Sequence, residues 1–171
     1  MKIIVVGTQI SNIGNGIITK GAVAAVTQAF PDATIIESSI FPYYLSNTAV
    51  EQGGDPKLRD NGITVADFVD PDLVIFTGCI LYPEALRQHK PLLELFEDTE
   101  VPIVFLGVGG NDYEADTIST VRELLRSVHL DLMISRDISA YKAYKDLFSE
   151  AIGGIDNGFF IDDWYNPPAA D

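Results

Sequence analysis

Ser135-Arg136-Asp137 combines a guanidinium, suited to bidentate capture of a phosphate or carboxylate, with a carboxylate that can cap a helix. An anion contact and an ion pair with Asp137 would each satisfy that guanidinium. Gly7-Thr8-Gln9-Ile10-Ser11-Asn12-Ile13-Gly14-Asn15-Gly16 is a second candidate segment, with Thr8, Asn12, Gly14, Asn15 and Gly16 as its ligand-facing residues. Glycines there allow a tight turn and let backbone N–H groups at a helix start approach an anion. The spacing is neither G-x-G-x-x-G nor a Walker loop, which disfavours a standard dinucleotide or ATP site. A plain strand-to-helix turn capped by Asn12 or Asn15 accounts for the same residues.

Thr77-Gly78-Cys79 and Gly107-Val108-Gly109-Gly110-Asn111-Asp112 repeat the theme. Gly78, Gly107, Gly109 and Gly110 would bring backbone close to a ligand, or close to a packing helix. Cys79 has no histidine beside it, so it reads as a small buried thiol rather than a nucleophile. His129 precedes a strand at the opposite pole, and His89 is expected on a helix surface. Neither is placed for general-base work. No triad, paired-carboxylate motif or metal-ligand cluster stands out.

Short apolar runs punctuated by glycine must position these segments, alternating with longer stretches of helical periodicity. Strands are expected at Lys2 to Val6, Ala33 to Glu37, Asp72 to Thr77, Val101 to Leu106, Leu130 to Ser135 and Ala151 to Ile155. Helices are expected at Gly16 to Phe30, Pro83 to Phe96, Tyr113 to Val128 and Asp137 to Phe148, with a short one at Thr64 to Val69. In the first helix Ile17, Val23, Ala24 and Val26 are expected to face the sheet. In the third, Ile118, Val121, Leu124, Leu125 and Val128 form one apolar stripe. The alternation predicts an α/β fold with a doubly wound, mostly parallel, Rossmann-like sheet, one domain over 1–165 and a tail over 166–171. In such sheets ligands bind beyond the carboxyl ends of the strands. All the candidate turns above fall there.

The chain has 171 residues, 47% hydrophobic and 21% charged, enough for one sizeable core. One cysteine rules out an internal disulfide and points to a reducing, cytoplasmic setting. Twenty-five acidic residues against eleven basic give a formal charge of −14, which argues against nucleic acid and anionic lipid as partners. No apolar run is long enough to span a bilayer. The acids are spread along the chain, as on any solvated acidic surface; a sharper reading is a salt-loving host.

Four segments in order resemble the polysaccharide pyruvyl transferase family: Asn12-Ile13-Gly14-Asn15, Thr77-Gly78-Cys79-Ile80-Leu81, Phe105-Leu106-Gly107-Val108-Gly109 and Ile134-Ser135-Arg136-Asp137-Ile138-Ser139, the last followed by Asp156-Asn157-Gly158-Phe159-Phe160. The resemblance implies one half of a GT-B-type glycosyltransferase fold. It also implies transfer of ketal-pyruvate from phosphoenolpyruvate, the donor substrate, to a sugar hydroxyl. Arg136 and Asp137 would be the catalytic residues, a sugar or glycan acceptor the partner, and no cofactor would be bound. Asn15 stands where the family shows an aspartate, so a proton-accepting role there is not carried over. The family's second domain would begin where this chain ends. The chain is then a truncated piece of a longer protein, a half that assembles with a partner domain or as a homo-oligomer, or a small relative that keeps only acceptor binding. A non-catalytic binding or assembly module is the alternative, using the same edge or the aromatic loop at Phe41, Tyr43 and Tyr44. A flavodoxin-like or nucleotide-binding domain is the third reading, lowered by the missing phosphate fingerprint.

Overall fold

The computed structural model describes residues 1–7, 12–39 and 70–163. Six strands form one sheet: β1 (Lys2–Gly7), β2 (Thr34–Ser39), β3 (Leu73–Cys79), β4 (Ile103–Gly109), β5 (Leu132–Ser135) and β6 (Glu150–Gly153). Between and after them lie α1 (Ile13–Ala29), α2 (Pro83–Asp98), α3 (Ala115–Leu125), α4 (Ile138–Tyr144) and two 3-10 segments, Lys145–Leu147 and Asn157–Asp163. The strand order is β2-β1-β3-β4-β5-β6 and every pairing is parallel. The fold is thus a doubly wound, Rossmann-like α/β sheet, in the flavodoxin-type order with a sixth strand added. Growth of the sheet reverses between β1 and β3. That switch point is where loops diverge and leave room for a ligand.

β1 is apolar without alternation because both of its faces are covered. Ile4 and Val6 join Phe76, Phe105 and Met133 in the larger core, beneath α2, α3 and α4. Ile3, Val5 and Ile75 face the other way, onto Ala22, Val23 and Val26 of α1. Each such fully buried large side chain contributes about 1.5–3 kcal/mol relative to exposure. On the α1 side the described elements cover the sheet less completely. Val104, Leu106, Leu132 and Ile134 are only partly buried, and Ile152 of β6 is 45% exposed.

Several expectations need correction. Ile17 does not face the sheet; it is 41% exposed, in the early turns of α1 beside Gly158, whereas Val23, Ala24 and Val26 are buried. His89 is not on a helix surface but 3% exposed. It falls on the stripe Ala85-His89-Leu92-Phe96, whose four-three-four spacing turns it into the core. The third helix begins after Tyr113, because that side chain is tied to the sheet edge. The fourth tightens into a 3-10 turn after Tyr144, as short helices commonly end. The Thr64 to Val69 helix, the aromatic loop and the 166–171 tail lie outside the described residues.

Candidate functional site

Because all six strands run the same way, Asn12, Gly78, Gly107, Gly109 and Arg136 lie at one edge of the sheet, in the last residues of β3 and β4 or just beyond the carboxyl ends of β1 and β5. Neighbouring strands are ~4.8 Å apart, so the ends of β1 and β5 are separated by roughly 14 Å. The candidates form one rim in two groups.

The first group is the start of α1 at the switch point. Asn12 is the helix cap: its Oδ1 accepts from the Gly14 N–H at 2.9 Å, and its carbonyl accepts from the Gly16 N–H at 3.0 Å. The Asn15 carbonyl accepts from the Thr19 hydroxyl at 2.9 Å. A side chain built at Gly16 would meet open space, so this turn faces outward. Thr8 lies outside the described residues.

The second group ties the ends of β3, β4 and β5 together. The Gly110 N–H donates to the Tyr113 hydroxyl at 2.9 Å, and that hydroxyl donates to Asp137 Oδ2 at 2.7 Å. Asp137 Oδ1 caps α4 by accepting from the Ala140 N–H at 2.7 Å. Burial raises the Tyr113 phenol far above its ordinary value, and the Gly110 N–H offsets this only in part. Tyr113 is therefore a fixed hydrogen-bond donor at neutral pH. Cys79 donates its thiol proton to Asn111 Oδ1 at 2.9 Å; burial pushes its pKa up, with the Arg136 charge partly opposing. A thiol so placed is protonated and not a nucleophile.

Arg136 is held by its backbone N–H on the Val108 carbonyl, at 2.9 Å, and by its Nη1 on Asp156 Oδ2, at 3.2 Å. Its partner is thus Asp156, not the adjacent Asp137. Gly109 makes this packing feasible: a Cβ there would sit 2.5 Å from Arg136 Nε and 2.8 Å from Asp137 Oδ2. The Arg136 side chain remains 23% exposed. Among the described strand-end residues it is the one cation.

Between the two groups sits Asn157, which is not among the sequence-predicted site residues. Asn157 is 1% exposed, and its side-chain amide donates to the Thr77 hydroxyl at 2.7 Å and to the Leu106 carbonyl at 2.8 Å. It enters where the β3–β4 and β4–β5 registers slip, at Thr77/Cys79 and Leu106/Val108. Gly107 has φ +61° and no side chain, and any Cβ there would overlap the Asn157 amide. A Cβ at Gly21 of α1 would likewise collide with the Asn157 carbonyl. Asn157 therefore locks the terminal 3-10 segment to both the sheet edge and α1. Its signal in sequence was the Asp156-Asn157-Gly158 turn itself.

His129 is exposed at the amino-terminal pole, beside Glu97 and Asp131, and takes no part in this edge. Two cavities lined by described residues, of about 250 and 270 Å³, also lie at that pole. No group of three or more His, Cys, Asp or Glu among the described residues is arranged to hold a metal ion. Nor is any described helix long and apolar enough to cross a membrane. The chain matches no protein-family model, no curated protein and no solved structure.

Proposed function

We propose that the chain is a pyruvyl transferase-like protein of the cytoplasm, binding an anionic small molecule and a sugar acceptor at the carboxyl edge of its sheet. In the full form of this reading it transfers ketal-pyruvate from phosphoenolpyruvate to a sugar hydroxyl, with Arg136 and Asp137 at the reacting end. In the reduced form it keeps acceptor binding and relies on a partner domain for transfer. The observation that carries the reading is Arg136, a cation whose side chain is 23% exposed, set among glycine turns at the edge where doubly wound folds bind ligands. Asp137 is committed to capping α4 and to Tyr113, which suits a positioning role better than proton transfer.

Calorimetry with phosphoenolpyruvate and with nucleotide sugars tests it. Arg136→Ala should weaken phosphoenolpyruvate binding by about 1.5–3 kcal/mol while the fold persists. Unchanged binding with lowered stability would make Arg136 a structural partner of Asp156 and remove the basis of the reading.

A second reading, the non-catalytic assembly module, is favoured by a different observation. Ile13, Ile155 and Phe159 are 81%, 52% and 77% exposed, and Ile152 lies open on the partly covered sheet face. An apolar surface of this kind fits a protein partner. Light scattering that finds a monomer at all concentrations, together with phosphoenolpyruvate binding, would decide for the first reading.

A further inference from the structure

Asp156 and the guanidinium it touches form a pair that is neither buried nor freely solvated: Arg136 is 23% exposed and Asp156 30%. The Asp156 carboxylate uses both oxygens, Oδ2 on Arg136 Nη1 and Oδ1 on the Gly158 N–H at 2.8 Å. The next residue, Asn157, is fixed in the sheet by two hydrogen bonds, so the backbone of this turn is anchored independently of the ion pair. Asp156 can therefore leave Arg136 by rotating its own side chain. The cost is the contact with Gly158, and the backbone stays in place.

We infer that Asp156 is an internal competitor for the ligand, its carboxylate filling the place on Arg136 that an incoming phosphate or carboxylate would take. The inference rests on the anion-capture reading above and adds a control to it. With Asp156 in place the guanidinium is neutralised, and Asp137, which shares the Gly109 surface with it, adds a second negative charge close by. Weak or monovalent anions are then repelled. A ligand enters only if its own contacts outweigh the displaced carboxylate, which selects for multiply charged groups able to engage the guanidinium bidentately. Asp156 thus acts as a specificity filter built from the chain itself.

The test is calorimetry on the 171-residue protein at fixed ionic strength, with inorganic phosphate and phosphoenolpyruvate as separate probes. Asp156→Asn keeps an oxygen for the Gly158 N–H but removes the charge. It should bind both probes about tenfold tighter, as expected for loss of one competing charge-assisted contact, with the larger gain for inorganic phosphate. If Asp156→Asn does not fold, as judged by circular dichroism, Asp156→Ser retains an acceptor for Gly158 and gives the same comparison. Equal or weaker binding in the charge-free variant, with Arg136→Ala still losing affinity, overturns the competitor and leaves anion capture standing. Binding that is indifferent to Arg136→Ala, or absent from every form, overturns both.

Discussion

His89 illustrates how one side chain sets a property of the whole fold. Its Nδ1 donates to the Ala85 carbonyl at 2.7 Å, the ring packs edge-on against Phe76, and Nε2 is buried without a hydrogen-bond partner among the described residues. Burial lowers its pKa from 6.5 to about 4. The unfolded chain therefore takes up a proton at this position before the folded one does. The contribution of the neutral ring to stability is complete above pH 6.5 and declines as pH falls toward 4, by about 3 kcal/mol in all. Urea unfolding at a series of pH values should show this slope, and His89→Leu should lose that component. An unchanged slope in the variant would mean other groups carry the acid sensitivity. The polarity of His89 points to a helix surface, whereas its position on the apolar stripe turns it into the core. The partner of Arg136 was hidden for a different reason. Asp137 is adjacent in sequence, but its two oxygens go to Ala140 and Tyr113, and the ion pair forms with Asp156, twenty residues on.

Among the elements, the 3-10 segment Asn157–Asp163 packs mainly on α1 and is tied to the sheet through the Asn157 amide. Asn157→Ala should leave the Thr77 hydroxyl and the Leu106 carbonyl without a partner in a buried slot, at a cost of about 2–3 kcal/mol. Gly107→Ala should cost at least as much, since it adds a side chain at positive φ into space the amide already fills. Chemical denaturation measures both, and a loss below about 0.5 kcal/mol in either would show that the segment docks by other contacts. Strands and helices were readable because a buried parallel sheet demands unbroken apolar runs, and its covering helices demand a three-to-four spacing. The 3-10 segment was not readable, since a seven-residue 3-10 stretch has no comparable period and its anchor to the sheet is a single polar side chain. The glycine turns were legible as turns. What each glycine makes room for became visible only in three dimensions.

For the molecule as a whole, a charge of −14 on 171 residues makes self-repulsion a term in stability. Added salt screens such repulsion, with a Debye length of about 10 Å at 0.1 M and about 3 Å at 1 M. The melting temperature should rise between low and molar sodium chloride, by roughly 2–4 °C for each kcal/mol of repulsion relieved. A flat or falling melting temperature would remove the salt-loving interpretation and leave an ordinary acidic surface. The Asn157 anchor has a further implication for how such a molecule is made. Its partners Thr77 and Leu106 lie 80 and 51 residues earlier. During vectorial synthesis on the ribosome, α1 and the first four strands emerge well before the amide that joins them. The nascent chain thus waits with its central slot unfilled, and commitment to the finished topology comes from a residue made after all six strands.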